Sequence, residues 1–483
     1  MGNNDMVAGA ENALVPLHAR LREAAGRDPN PGWAARDARL AALERLLREN
    51  APAIAAAISA DFGHRSAHET QLLELFPSHE GLRHARRHLK SWMRPERRAV
   101  SLWFLPGRAR VLHQPLGTVG IIVPWNYPLY LAVGPLTAAL AAGNRALVKM
   151  SEYTPAFSAL FAELVAKYFP ADEVAVVQGD AAVAQAFARL PFGHLLFTGS
   201  TRVGYSVMRA AAENLTPVTL ELGGKSPAIL GPDYSLEKFA ERVMVGKTMN
   251  AGQTCIAPDY VLVPAGRARE FVAAARQAVD ACYPDILRTP DYSSIVNERH
   301  YRRLLGLVDD ARGQGAEVAP LSAAAEPDAA TRRIPPLALL NVTDAMQVMQ
   351  EEIFGPLLPV VGYRDLDEAI AYVNARPNPL ALYYFDDDRS RIDRVLAKTL
   401  SGGVTVNDTI LHIAQDNLPF GGVGESGKGH YHGFEGFETF SKKKAVFFQS
   451  RVNGWLFCIR LHTFSYQGAF PCSLEIIMTS KIY

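Results

Sequence analysis

From Gly117 onward the chain repeats a pattern that few folds can accept: short, wholly apolar runs separated by segments of helix length. Thr118 to Val123 has no alternating polar positions, which suits a strand covered on both faces. A long apolar helix is expected from about Leu129 to Ala142, followed by a strand at Ala146–Met150 and a helix at Pro155–Tyr168. Further strands are expected at Val174–Val177 and His194–Phe197, after which Gly199 to Gly204 turns directly into a helix reaching Glu213. Strands and helices in alternation predict an α/β fold, a parallel sheet with helices on both faces. A second α/β region starts near Gly223 and runs to about Asp408, with a helix at Leu236–Met249 and a strand at Tyr260–Val263.

The flanking segments differ. Leu40, Leu43, Leu47, Ile54 and Ile58 fall near one helical stripe, and Pro52 predicts a break or a new first turn there. Around Pro106-Gly107, two short apolar-alternating runs predict a β-hairpin spanning Val100 to His113. The closing stretch, Asn407 to Phe448, is rich in glycine and aromatics and ends in a short apolar strand, Ala445–Phe448. A chain of 483 residues is too long for a single core, so two or three domains are expected.

Bulk chemistry narrows the function. A net charge of +1 leaves no electrostatic footprint for nucleic acid or an acidic membrane surface. Four cysteines (Cys255, Cys282, Cys458 and Cys472) are too few and too scattered for a disulfide framework or a zinc site. His430 and His432 form the one close histidine pair, without acidic or cysteine neighbours at ligand spacing, so no metal is expected. The early acidic residues do not read as a secretory signal, and the apolar run from Ile121 is cut by Pro124 and Asn126. A cytoplasmic enzyme acting on small molecules is the expectation.

Its chemistry starts at Cys255, held in the polar, glycine-flanked stretch Asn250-Ala-Gly-Gln-Thr-Cys. Upstream, Glu221 ends an apolar run and precedes Gly223-Gly224. A thiol and a strand-end carboxylate whose pKa burial would raise are the two parts covalent cysteine catalysis needs. A buried cysteine that merely packs as a small hydrophobe, and a solvated strand-end glutamate, are the plainer readings. Asn126, pinned in Pro124-Trp-Asn-Tyr-Pro128, is a rigid amide suited to donate into an oxyanion hole, or simply a turn residue. Gly199, Ser200 and Gly204 open a helix after a strand, where unpaired N–H groups suit a pyrophosphate, although the spacing is not that of the dinucleotide fingerprint. Lys149 and Glu152 stand at a strand's carboxyl end, where they can meet ribose hydroxyls or form an ordinary surface pair. Glu352 can hold ribose hydroxyls and Phe354 can pack on a flat ring.

Taken in order, Pro-Trp-Asn-Tyr-Pro, Lys-x-Ser-Glu, Phe-Thr-Gly-Ser-Thr-Arg-Val-Gly, Glu-Leu-Gly-Gly-Lys-Ser-Pro, Gly-Gln-Thr-Cys and Glu-Glu-Ile-Phe-Gly-Pro resemble the aldehyde dehydrogenase superfamily over roughly residues 15–450. Cys255-Ile-Ala-Pro-Asp-Tyr260 and Leu418-Pro-Phe-Gly-Gly-Val-Gly resemble its class 3-like branch. His412-Ile-Ala-Gln-Asp-Asn-Leu-Pro-Phe and Gly429-His-Tyr-His-Gly imply an aromatic, coniferyl-type aldehyde as substrate, with semialdehydes or medium-chain aliphatic aldehydes as the alternative.

The resemblance implies a role for each residue. Cys255 is the nucleophile, Glu221 the base for deacylation, and Asn126 with the Cys255 N–H the oxyanion hole. For the NAD cofactor (NADP being possible), Lys149 and Glu152 meet the adenosine ribose, and Gly199 and Ser200 lie near the pyrophosphate. Glu352 binds the nicotinamide ribose, with Phe354 near the nicotinamide. The implied division is a Rossmann-like NAD-binding domain (1–96 and 114–220), a catalytic domain (221–408) and a β-strand oligomerisation arm (97–113 and 409–450) that builds a homodimer. Residues 451–483 depart from the family's usual ending, which points to an altered C-terminus or an unusual anchor. A cysteine hydrolase, the reading from a different class, needs a histidine partner, and none lies near Cys255 in sequence.

Overall fold

The structure, a computed structural model, describes residues 3–324 and 326–451. The atypical tail, with Cys458 and Cys472, lies outside the described residues apart from Arg451. The described residues divide into a large unit, up to residue 92 and from 115 to 441, and a small one, residues 93–114 and from 442 on. Of the segments expected to form the arm, 97–113 and 409–450, residues 409–441 lie in the large unit. The reason is local: Gly427–Lys428 pairs antiparallel with Val218–Glu221, and the helix Gly433–Thr439 packs on the helix Tyr130–Ala142.

Two sheets organise the large unit. The first has six strands, in the order Gly427–Lys428, Val218–Glu221, His194–Thr198, Thr118–Ile122, Arg145–Lys149, Val174–Val177, parallel except for the short first strand. The three central strands are buried at every position, as the unbroken apolar runs require. Because Thr118–Ile122 lies between strands that come later in the chain on both sides, the strand order reverses there. A crevice opens at the carboxyl ends of such neighbours. The helix Tyr130–Ala142 is apolar almost all round and is buried accordingly.

The second sheet has seven strands, in the order Glu317–Pro320, Leu337–Leu340, Leu357–Tyr363, Tyr260–Pro264, Pro227–Leu230, Ala381–Phe385, Gly403–Val406. Its first pair is antiparallel and the rest are parallel. Cys255 lies just before Tyr260–Pro264, and Glu352 just before Leu357–Tyr363. The amino ends of this sheet therefore meet the carboxyl ends of the first, which carry Asn126 and Glu221.

Two local expectations fail for physical reasons. The helix Trp33–Phe62 runs straight through Pro52. Pro52 and Arg48 are both exposed, so the carbonyl that loses its donor can be hydrated. In the small unit, the strand pairing with Arg108–Pro115 is the charged Glu96–Arg98, while Leu102–Phe104 is a 3-10 turn. A three-residue strand leaves little room for an apolar alternation to be read. Arg108–Pro115 also neighbours Ser441–Phe448, completing a three-stranded sheet.

Candidate active site

Two loops build the site, and a buried polar network ties them together. The first, Pro124–Leu129, leaves the strand Thr118–Ile122. The second, Met249–Thr254, precedes the thiol. The Asn126 amide donates to the Gln253 carbonyl at 3.2 Å, and the Asn250 amide donates to the Asn126 carbonyl at 3.1 Å. The Tyr127 hydroxyl lies 2.6 Å from Thr254 Oγ1. Beneath them Arg65, wholly buried, pairs with the equally buried Glu74 at 2.7 Å and donates to the Asn126 carbonyl at 3.1 Å. Glu74 in turn accepts from the Leu129 and Tyr130 N–H groups at 2.7 and 3.1 Å, and Glu69 accepts from the Asn250 N–H at 2.8 Å.

The second loop is held in an unusual shape. Asn250, Ala251 and Gly252 all have positive φ, of 52°, 52° and 75°. For the first two this is a sparsely populated conformation that the surrounding bonds must enforce. At Gly252 a Cβ would come within 2.4 Å of the Gly355 carbonyl oxygen, so only glycine lets the loop lie against the Glu352–Pro356 turn. Gln253 fills the space below, donating to Asn250 and Ser294 carbonyls and accepting from the Val296 N–H.

Cys255 emerges from this loop half-buried, with its own N–H and that of Ile256 placed to donate to a thiolate. Burial, and the carboxylates of Glu352 and Glu221, push the thiol upward in pKa. These charged neighbours are acids, where a cysteine hydrolase would call for an imidazole. Glu221 is buried with neither carboxylate oxygen hydrogen-bonded, and burial alone raises it well above the usual carboxylate range. Glu352 is pushed up to about 8 by burial and by Asp259, while Oε1 has no partner. Unpaired buried acids of this kind mark a functional site rather than a stabilising one.

Further groups hold the turn carrying Glu352 and Phe354. Lys225 pairs with the buried Asp259 and donates to the Val348 carbonyl at 2.8 Å, and Asp259 accepts from the Ile353 N–H at 2.9 Å. Phe354, at φ 51°, meets Trp125 edge-on with ring centres 5.3 Å apart. A buried lysine, Lys247, stands in the field of Asp259 and Glu352 and is lowered to about 8, chiefly by burial. Lys225 and Asp259 fall inside family-like stretches yet carry no role that spacing reveals. Arg65, Glu69, Glu74 and Lys247 left no sequence signal at all, since a lone charge inside a helical pattern reads as solvated surface.

The expected cofactor residues divide. Thr201, Gly223, Gly224 and Glu352 line one cavity of about 190 Å³, which brings the start of the helix Thr201–Ala212 and the Glu352 carboxylate to the same space. Ser200 caps that helix, and Gly199 donates to the Glu221 carbonyl at 3.0 Å. Gly204 donates to the Ser200 carbonyl and packs on Leu222, where a Cβ would come within 2.8 Å. Lys149 is buried and held by Glu152 at 3.1 Å, with Glu152 more exposed. The helix N-terminus and the partnerless Glu352 Oε1 offer the groups that a phosphate and a hydroxyl would call for.

Two facing α/β sheets with a thiol beside two buried acids suit covalent catalysis through a cysteine. The family model "Aldehyde dehydrogenase family" matches residues 22–446, and the chain belongs to that family, whose members oxidise aldehydes to acids. It is similar to a probable coniferyl aldehyde dehydrogenase of Pseudomonas aeruginosa, 57% identical over 442 residues covering 92% of each chain. A coniferyl aldehyde dehydrogenase of a Pseudomonas species is 49% identical over 458 residues and 94% of each chain. Among solved structures, the substrate-bound state of Staphylococcus aureus AldH superposes with a TM-score of 0.87 at 37% identity, over 91% of this chain and 95% of that one. Among the described residues, no helix is long and apolar enough to cross a membrane.

The buried network yields a direct expectation. Arg65→Met leaves Glu74 charged and unpaired in the interior, a change that costs about 3–5 kcal/mol. Urea unfolding should shift by that amount, and turnover should fall with it as the two loops lose their common anchor. A variant as stable as the parent would show that the pair is not what holds them.

Proposed function

We propose that this enzyme oxidises an aromatic, cinnamyl-type aldehyde to its acid through a thioester on Cys255, with NAD as the preferred cofactor. The carrying observation is the thiol flanked by Glu221 and Glu352, both buried with unpaired oxygens. The names borne by the two Pseudomonas relatives support the substrate class.

In this reading Cys255 adds to the aldehyde carbonyl, giving up its proton to a neighbouring carboxylate. The oxygen that becomes negative is met by the Cys255 N–H and by Asn126, whose Nδ2 carries two protons and spends one on Gln253. A bound nicotinamide would supply the acceptor for the hydride that the aldehyde carbon gives up as the thioester forms. Glu221 then draws a proton from water, which attacks the thioester and frees the acid. Its raised pKa sets the sign of the pH effect: the acid form cannot accept a proton, so hydrolysis speeds up as pH rises and the carboxylate forms.

Lys149, Glu152, Gly199 and Ser200 are proposed to hold the adenosine and pyrophosphate half, and Glu352 and Phe354 the nicotinamide half. The Glu152 carboxylate would repel a 2′-phosphate, and the Lys149 charge that could offset it is already engaged by Glu152. Relatives differ in this respect: one indole-3-acetaldehyde dehydrogenase is described with NAD+, and a rat enzyme as dimeric and NADP-preferring. A homodimer is proposed for this chain too, paired through its three-stranded sheet, because an open strand edge is a liability unless covered.

An aldehyde panel followed by acid formation tests the central reading. Cinnamyl aldehydes should be oxidised with the highest kcat/KM. Glu221→Gln should give a first burst of reduced cofactor and then slow turnover that no longer rises with pH. Oxidation confined to short aliphatic aldehydes would remove the substrate class, and wild-type turnover in Glu221→Gln would remove the base. For the cofactor, Glu152→Gln should move the NAD to NADP ratio of kcat/KM towards NADP; an unmoved ratio counts against the repulsion argument. Light scattering at micromolar concentration should return a dimer mass, and a stable active monomer would end that proposal.

A further inference from the structure

Asn250 is the junction at which the two loops of the site meet. Its Nδ2 donates to the Asn126 carbonyl at 3.1 Å and to the Gln253 carbonyl at 3.2 Å. The Asn126 Nδ2 donates to that same Gln253 carbonyl, also at 3.2 Å. One amide therefore holds Asn126 twice: directly by its main chain, and through the carbonyl that takes a proton of its side chain. All three residues are buried.

The neighbours settle which way that amide faces. Turned over, it would set its oxygen against two carbonyls. As it stands both protons are used, and Oδ1 is left buried without a donor among the described residues. The main chain is constrained as well: φ at Asn250 is 52°, and the buried Glu69, itself bonded to Ser293, accepts from its N–H at 2.8 Å. An orphaned acceptor and a sparsely populated backbone conformation are both unfavourable, and together they mark a place where function sets the geometry. Folding alone does not call for this side chain. The Asn126 carbonyl has a second donor in Arg65, and the Gln253 carbonyl a second in Asn126, so neither is orphaned when the Asn250 amide is removed.

We propose that Asn250 is a positioning residue for the oxyanion hole: it fixes the Asn126 amide so that the proton not given to Gln253 meets the oxygen that turns negative when Cys255 attacks. The inference rests on the oxyanion role given to Asn126 above. Cys255 follows Asn250 in the same loop, so the segment that supplies one donor, the Cys255 N–H, also sets the direction of the other. Direction matters because a donor works here only at hydrogen-bond distance from the tetrahedral adduct's oxygen, and a small displacement forfeits much of its effect.

The test is a double-mutant cycle on acylation of Cys255 by p-nitrophenyl acetate. This reaction forms the same kind of oxyanion without cofactor or hydride transfer: the thiolate adds to the ester carbonyl, the C–S bond forms, and p-nitrophenolate leaves and is read by absorbance. Asn126→Ala should slow the first turnover by about 100-fold. Asn250→Gly, at ease at positive φ, should slow it by about 10-fold with the half-saturating ester concentration unchanged. The double variant should be no slower than Asn126→Ala, within about twofold, because Asn250 acts only through that amide. Asn250→Asp also tolerates this backbone and lacks the amide donor, so it should give the same pattern and serves if the glycine variant folds poorly. Losses that multiply in the double variant, or an Asn250→Gly enzyme acylated at the parent rate, overturn the assignment of Asn250. An Asn126→Ala enzyme acylated at the parent rate overturns the oxyanion role itself, a result distinct from the others.

Discussion

The arginine at position 65 sets the geometry on which catalysis depends. Its side chain is wholly buried against Glu74, and through the carbonyl of Asn126 and the N–H groups of Leu129 and Tyr130 the pair fixes the loop leaving one sheet. Glu69 does the same for Asn250 on the loop entering the other. Neither loop has regular hydrogen bonding of its own, so these charges supply what a ladder or helix would otherwise provide. Replacing such a network with apolar side chains need not destabilise a core in general. Here it would leave backbone groups of two catalytic loops without partners.

Against that network stand Glu221, with neither buried carboxylate oxygen hydrogen-bonded, and Glu352, whose Oε1 has no partner. The contrast is functional. A carboxylate wrapped in donors would be a weak base and a poor ligand for a hydroxyl. One stripped of donors is destabilised as an anion and ready to take a proton or a hydrogen bond. The thiol between them shares the cost, raised by both charges and eased only by two backbone N–H groups.

Much of this was legible before any coordinate. The strand–helix alternation marks the first sheet because burial on both faces leaves no polar positions to blur a run, and Pro155–Tyr168 and Val174–Val177 fall where the pattern puts them. Cys255, Glu221 and Glu352 were visible because glycines and prolines punctuate their loops, and the structure brings all three together. The packing of Gly204 on Leu222 was not legible, because it joins two segments that the pattern treats separately. Pro52 misled because its effect depends on whether the orphaned carbonyl faces water. Arg65 and Glu74 were silent because pairing and burial of a single charge are long-range facts, set by segments far apart in the chain.

The short strand Gly427–Lys428 has a consequence for biosynthesis. It pairs in register with Leu220 and Glu221, and Gly421 comes within reach of the Glu221 carboxylate. Residues made some two hundred positions later therefore complete the surroundings of the base. Until that strand is made, Val218–Glu221 has an open edge at which water can reach the base. A chain cut short of Gly427 would therefore lack the segment that closes the sheet beside Glu221.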